Sequence, residues 1–269
     1  MAALNVITGR VTNPGATLTA LTLDTGDSST IKFFDASQPA YITDVWAQAA
    51  TPGVVRIRSP RLHDPNQGIR LRTDQAPSRS LLPLWANQYV VPQDLLTFEG
   101  SGGGAEVDVF AFLIYYSNLL QNAAHLITVE ELEARQRNIS GAEVTVTSSA
   151  TAGQYGGATA LNATFDNWKR NVDYAILGIL SDTAGCTVGI TGPDTGQVRI
   201  GMPMAVEAIQ TADYFVKLSW RNRIANIPVI NAANIAATTI DCATTTTAGT
   251  VNFTVIAAEL SPSGYAQQV

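Results

Sequence analysis

The sequence predicts a mostly β protein built as two tandem eight-stranded sandwiches joined by a short helical connector. Three observations predict this. A strand-rich stretch near the start returns, diverged but in the same order, about 133 positions later. Short runs of Thr, Ala, Val and Ile are separated by Gly, Pro, Asn and Asp, the pattern of strands and turns. Between the two copies lies a segment that loses the β-branched bias and carries helix-forming residues instead. The expected boundaries are 1–118 for the first sandwich, 119–141 for the connector and 142–269 for the second.

The repeat is legible in named positions. Tyr41 matches Tyr174, Trp46 matches Ile179, and Val55 with Ile57, ahead of Ser59-Pro60, match Val188 with Ile190, ahead of Gly192-Pro193. Ile69-Arg70-Leu71 matches Val198-Arg199-Ile200. Trp85, Asn87 and Tyr89 ahead of Pro92 match Trp220, Asn222 and Ile224 ahead of Pro228; in the alternative register Leu82-Pro83-Leu84 aligns with Ile227-Pro228-Val229.

Period-2 alternation defines the strands where the copies agree. In Val54–Arg58 the apolar Val55 and Ile57 face one way and Arg56 and Arg58 the other. The second copy keeps Val188 and Ile190 but has Gly189 and Thr191 in place of the arginines. Ile69 and Leu71 likewise alternate with Arg70 and Arg72. Near the end of each copy Val107, Val109, Ala111 and Leu113 match Val251, Phe253, Val255 and Ala257. Each such apolar face needs a second sheet to cover it.

Turns bracket these strands at Thr51-Pro52-Gly53, Asp64–Gly68, Gly100–Gly104, Gly192-Pro193-Asp194 and Thr244–Gly249. Counting the segments between them gives about eight strands per copy, the number of a jelly roll. An immunoglobulin-like sandwich competes, but the cysteine pair flanking a tryptophan is missing from the first copy. In the connector, Thr128-Val129-Glu130-Glu131 has the form of a capping box and opens the run Leu132–Arg137. A helical joint fixes the relative orientation of two sandwiches better than a Gly/Ser tether does.

Composition narrows the function. Charged residues make up 14% of the chain, too few for a disordered one given its apolar content. The net charge of −6 is the wrong sign for a protein that coats nucleic-acid phosphates. The start, Met1-Ala2-Ala3-Leu4-Asn5, lacks the pattern of a secretory signal, and no apolar run reaches the roughly 18 residues of a membrane span. Synthesis in a cytoplasm is expected, which makes the glycosylation-like triplets at Asn138, Asn162 and Asn252 chance matches.

Candidate chemistry is sparse. Cys186 and Cys242 lie in apolar strand-like sequence with no Cys or His at ligand spacing, so two buried thiols are expected rather than a metal site; whether they pair is open. His63 and His125 stand alone. Asp64–Gly68 resembles the start of a calcium loop but lacks the acidic residue at the twelfth position. The glycines of 100–104 lack the Lys-Ser/Thr of a phosphate loop and read as a flexible hairpin. Glu130 and Glu131 fall on the helix, facing solvent. No catalytic, cofactor-binding or metal-binding residue is assigned, and no cofactor is expected.

The arginines pose a sharper question. Arg56, Arg58, Arg70 and Arg72 share one outward face, where like charges repel if their strands are neighbours. Carboxylates of the same chain, an acidic patch on a neighbouring subunit, and phosphate of lipid or nucleic acid are the three partners to weigh.

Two fused eight-stranded copies with a helix at the join resemble, over residues 15–260, the double jelly-roll major capsid proteins of tailless icosahedral DNA viruses. That resemblance implies a structural virion protein and not an enzyme: a homotrimer of nearly hexagonal outline that tiles an icosahedral capsid, of a bacteriophage or similar virus. It also implies other capsid proteins such as a vertex protein as partners, often an internal lipid membrane, and no sequence-specific nucleic-acid binding. The chain is short for the family, so outer decoration is expected to be modest. The rivals are a two-jelly-roll glycan-active hydrolase or amidase with carboxylates at its seam, and a virion spike, decoration or carbohydrate-binding protein. Copper chemistry would need more than two lone histidines and three methionines.

Overall fold

A computed structural model describes residues 2–12, 15–23, 30–32, 40–48, 53–61, 67–73, 78–79, 88–90, 94–102, 107–117, 124–163, 165, 168–183, 186–203, 211–244 and 249–262. Leu82–Leu84, Trp85, Asn87, Pro92, His63, Asp64–Asn66 and the turns at 51–52, 103–104 and 245–248 lie outside the described residues.

The first strands are β1 (Ala2–Thr12), β2 (Gly15–Ala20), β3 (Thr22–Leu23), β4 (Thr30–Lys32), β5 (Ala40–Gln48), β6 (Gly53–Arg58) and β7 (Ile69–Thr73). They are followed by β8 (Ser78–Arg79), β9 (Gln88–Val90), β10 (Leu95–Gly102), β11 (Val107–Ser117) and β12 (Leu126–Ile127). Helix α1 (Val129–Arg135) leads into β13 (Gln136–Thr147), β14 (Gly156–Ala160), β15 (Asp173–Ser181), β16 (Cys186–Thr191) and β17 (Ile200–Pro203). Helix α2 (Tyr214–Asn222), β18 (Ile227–Asn231), β19 (Thr239–Thr244) and β20 (Thr250–Leu260) complete the chain.

Among the described residues the strands form four sheets, every pairing antiparallel. One sheet runs β3-β1-β11-β5-β8 with β9 also on β5, and another runs β2-β10-β6-β7 with β4 on β10. The others run β12-β18-β15-β20-β13 and β14-β19-β16-β17. Without the short β3, β4, β8 and β12, the same two orders occur twice. β1-β11-β5-β9 corresponds to β13-β20-β15-β18, and β2-β10-β6-β7 to β14-β19-β16-β17. The molecule is thus mostly β, with antiparallel sheets consistent with a jelly roll.

Among the described residues the buried apolar side chains gather into two clusters. One, around Leu21, Ile42, Val45, Val55, Ile57, Leu71, Leu96 and Phe98, belongs to the earlier strands. The other, around Val144, Ile176, Ile179, Val188, Ile190, Ile240, Phe253 and Val255, belongs to the later ones. Alternation accounts for both: Val55 and Ile57 are buried as expected, and so are Val188 and Ile190.

Register corrects several of the matches. Val45, which is buried, occupies the place of Ile179 that the sequence match gave to Trp46, and Ile42 occupies that of Ile176. The interruption in pairing confirms this shift by one position. β5 skips Thr43 opposite Leu113 and Ile114, and β15 skips Leu177 opposite Ala257 and Ile256. A slip of one residue exchanges the faces of a strand, and equal Tyr residues at 41 and 174 conceal it. On the last strands the partner of Val45 is Phe112, so Phe112 rather than Ala111 corresponds to Val255.

β7 is displaced by two. Ile69 and Leu71 pair with Ile57 and Val55, as Ile200 and Met202 pair with Ile190 and Val188, so Val198 precedes the strand. Tyr89 pairs with Tyr41, and Ala175, which holds the place of Tyr41, pairs with Val229, so the match of Tyr89 to Ile224 fails. The Trp220 and Asn222 of that match lie in the last turn of α2, where the 3.6-residue repeat of a helix replaces the strand alternation.

Helix α2 explains why β15 is buried from Tyr174 to Ile179 on both of its faces. The chain entering the helix passes so close to Gly178 that a Cβ there would lie 2.1 Å from the Thr211 carbonyl oxygen. Helix α1 begins where the capping box predicts: the Thr128 hydroxyl accepts from the Glu131 N–H at 3.2 Å. It stops at Arg135, and β13 starts at Gln136, inside the 119–141 stretch read as connector. Arg135 is buried and donates to the Ser261 carbonyl at 2.9 Å, to Glu131 at 2.6 Å and to Asp173 at 3.3 Å. Those three bonds pin the helix to β15 and to the end of β20.

Candidate functional site

The arginine face lies on β6 and β7. Because Val55, Ile57, Ile69 and Leu71 turn inward, the intervening Arg56, Arg58, Arg70 and Arg72 turn outward. Arg56 and Arg70 are direct cross-strand partners. A carboxylate that sequence reading missed answers the repulsion. Glu99 on β10 stands opposite Arg56 and is only 8% exposed. The Arg56 Nε donates to one Glu99 oxygen at 2.7 Å and the Arg58 Nε to the other at 3.2 Å. The same-chain carboxylate among the three weighed partners is therefore present. Arg70 and Arg72, on the same face, are exposed.

The corresponding face of β16, β17 and β19 keeps the carboxylate and moves the cation. Asp241 pairs with Gly189 as Glu99 pairs with Arg56. With no arginine on β16, Arg199 reaches across the strand, its Nη2 2.9 Å and its Nε 3.2 Å from the Asp241 carboxylate. Gly189 makes room for it: a Cβ there would lie 2.3 Å from Arg199 Cγ. The signal that could have revealed this is the joint change of Arg56 to Gly and of a strand-entry residue to Arg, visible only once the register of β17 is known.

Arg199 also marks where the two sets of strands meet. Its guanidinium carbon lies 3.8 Å from the centre of the Tyr155 ring, a cation–π contact. The Tyr155 hydroxyl shares a hydrogen bond of 3.1 Å with Thr8 on β1, and Thr8 is fully buried. The Arg10 guanidinium donates to the Gln154 side-chain oxygen at 2.8 Å in the amide orientation that matches donor with acceptor. Gly153 lets the Arg10 stem lie against the backbone: its φ is +73° and a Cβ would lie 2.5 Å from Arg10 Cδ. β1 and β11 pack against β17. The outer face of one sheet thus covers the outer face of another, through paired polar groups.

A cleft of about 280 Å³ lies between the start of α1 and the end of α2, lined by Val129, Glu130, Trp220, Arg223 and Ile224 among others. Trp220 is 70% exposed there. Cys186 and Cys242 are both buried and not bonded to each other, and burial pushes each thiol up to about 12. His125 acts through its backbone, its N–H donating to the Asp194 carbonyl at 2.7 Å and its carbonyl accepting from Val229 at 2.9 Å. Glu130 is exposed, while Glu131 is drawn to Arg135. Gly100 and Gly102 belong to β10 rather than to a hairpin loop; Gly100 lines the core, where a Cβ would lie 3.1 Å from Leu21. Among the described residues no cluster of three His, Cys, Asp or Glu could hold a metal ion.

No protein-family profile matches the chain, and no curated protein matches it. Among solved structures it is similar, at a TM-score of 0.25 and 9% identity, to one reported as the triple jelly roll fold and turret assembly in an archaeal virus. It is also similar, at 0.25 and 8%, to the structure of Sulfolobus turreted icosahedral virus. In both cases 97% of this chain and 80% of the other are covered. Both similarities are too slight to assign the chain to a family.

Proposed function

We propose that the chain is a structural virion protein, a major capsid protein made of two tandem jelly rolls, with β1–β11 in the first, β13–β20 in the second, and β12 and α1 as the connector. Three copies form a pseudo-hexameric trimer that tiles an icosahedral shell. Its principal partner is itself, with a vertex protein and an underlying lipid membrane as further partners, and it reads no nucleic-acid sequence. Its place is the virion, after synthesis in the host cytoplasm. The role is architectural rather than catalytic.

The observation that carries this reading is the repeated strand order, with a pairing irregularity at the same place in β5 and β15. Two copies of one sandwich in a single chain present two versions of one outer surface, so three chains offer six near-equivalent positions to a closed ring. The divergence falls where such a ring requires it: the core positions of β6 and β16 agree, and their outer positions, Arg56 against Gly189 and Arg58 against Thr191, do not. Electron microscopy of the purified protein tests the reading. Trimers of hexagonal outline, or closed shells, are expected; a protein that stays monomeric at high concentration would overturn it.

A further inference from the structure

Among the described residues β13 ends its sheet, and its first half is open to solvent. Arg137, Asn138, Ile139, Ser140 and Gly141 are all exposed, and so is Glu143. Ile139 is 60% exposed. β20 pairs with this segment along one side. On the other side β14 reaches only the far end of the strand: the Thr159 hydroxyl donates to the Thr145 carbonyl at 3.3 Å, and Gly157 lies against the Thr147 carbonyl. Over 137–144 no described strand lies beside the outward backbone groups. The corresponding strand of the first set is used otherwise. With Phe112 at the place of Val255, Ile7 falls at the place of Ala142 and Thr8 at that of Glu143. Thr8 is fully buried, bonded to Tyr155, whereas Glu143 is exposed.

An unpaired edge is a template for another strand, and proteins that must stay single blunt it with lysine, proline or a bulge. β13 contains neither lysine nor proline. Its irregularity falls between Gln136 and Ile139, ahead of regular pairing that runs on to Thr147. The open segment is complementary to itself. With Ser140 on a two-fold axis, Ile139 of one copy stands opposite Gly141 of the second, and Arg137 opposite Glu143. A large side chain beside a glycine meets no clash, and opposite charges across two strands attract. Each pairing occurs twice, once on either side of the axis. Both charges are available for it. Glu143 has no ion-pair partner among the described residues. Arg137 forms no ion pair there either and contributes least to the field at Glu259, which Lys169 already holds.

We propose that the 137–143 edge of β13 pairs with the same edge of a second copy, antiparallel about Ser140, so that two sheets continue across the contact as one. The occupant of the edge is therefore another copy of this chain. This rests on the capsid reading and adds to it the link between trimers. A two-fold contact matches one surface with itself, and a ring of three contains no such operation. The pairing thus lies between trimers and not within one. A three-fold ring that carries three two-fold edges extends into a lattice or a closed shell.

Cysteine cross-linking in the full-length protein tests this, with folding followed by circular dichroism and assembly by sedimentation. Directly opposed residues of antiparallel strands have Cα atoms about 4.5–5.5 Å apart, within reach of a disulfide. Ser140→Cys should give a covalent dimer on mild oxidation, while Thr147→Cys, also exposed but beside β14, should not. The native Cys186 and Cys242 are buried, so the wild type should stay uncross-linked. Glu143→Arg should weaken association between trimers about tenfold or more without dissolving the trimers, and adding Arg137→Glu should recover most of that loss. Trimers or shells that form while Ser140→Cys yields no dimer would give the edge to another strand, overturning the proposal and leaving the capsid reading standing. Dimers of Thr147→Cys as abundant as those of Ser140→Cys would mark random collision and overturn it equally. A Ser140→Cys dimer in a protein that forms no trimers would keep the strand pairing and overturn the capsid reading. A protein that stays monomeric in every form would overturn both.

Discussion

Single side chains show how the molecule handles charge in a largely apolar fold. Glu259 on β20 is buried, accepts from the Lys169 ammonium at 2.6 and 2.8 Å, and receives the Asn138 amide. The hydrogen bond from Lys169 is the main reason its carboxyl is held below the ordinary value. A depressed carboxyl adds stability above its unfolded pKa, and that increment is lost as pH falls through the folded one. Glu259→Gln should therefore cost about 1 kcal/mol near neutrality and flatten the acid limb of a stability-against-pH curve. Chemical denaturation at several pH values reads both effects. Gly189 is the other decisive residue. Gly189→Ala pushes Arg199 off Asp241 and Tyr155 and should destabilise by about 1–2 kcal/mol. In an Arg199→Ala background the same change should cost nothing, because the obstruction is gone.

Among the elements, α1 is the one whose sequence signal is complete. Thr128 caps it, Glu130 and Glu131 occupy its first turn and Arg135 its last, each favourable to the helix dipole. Thr128→Ala should lower stability by about 1 kcal/mol in a thermal or urea melt, with little change in sheet content. α2 is different. Its Trp220 and Asn222 invite a match to Trp85 and Asn87 by identity, yet they sit in a helix that lies over β15. Only Gly178 and the burial of β15 from Tyr174 to Ile179 betray that covering layer. The edge of a motif and the edge of an element need not coincide, and here a helix accounts for the extra residues ahead of β18.

Across the whole molecule the separation into two cores governs stability. Phe98 and Phe253 are each fully buried, one in each cluster. Phe98→Ala and Phe253→Ala should each cost about 3–5 kcal/mol. In the double variant the costs should add to within about 0.5 kcal/mol, since the side chains share no partners. A large non-additive term in equilibrium unfolding would show that the cores are one cooperative unit held by the Tyr155 and Arg10 contacts.

How much of the molecule is readable from the chain alone depends on the range of the interaction. The β class, the inward faces of β6 and β16 and the start of α1 depend on neighbours a few positions away, so local alternation and capping residues determine them. The register of β5 against β15, of β7 against β17 and of β11 against β20 depends on partners far along the chain, and a slip of one or two positions leaves the residue types almost unchanged while exchanging the faces. The placement of Glu99 beneath Arg56, of Arg199 over Gly189 and of Thr8 against Tyr155 was likewise decided only in three dimensions. Each depends on groups far apart in the chain, whose approach is set by the packing of sheets rather than by any local pattern.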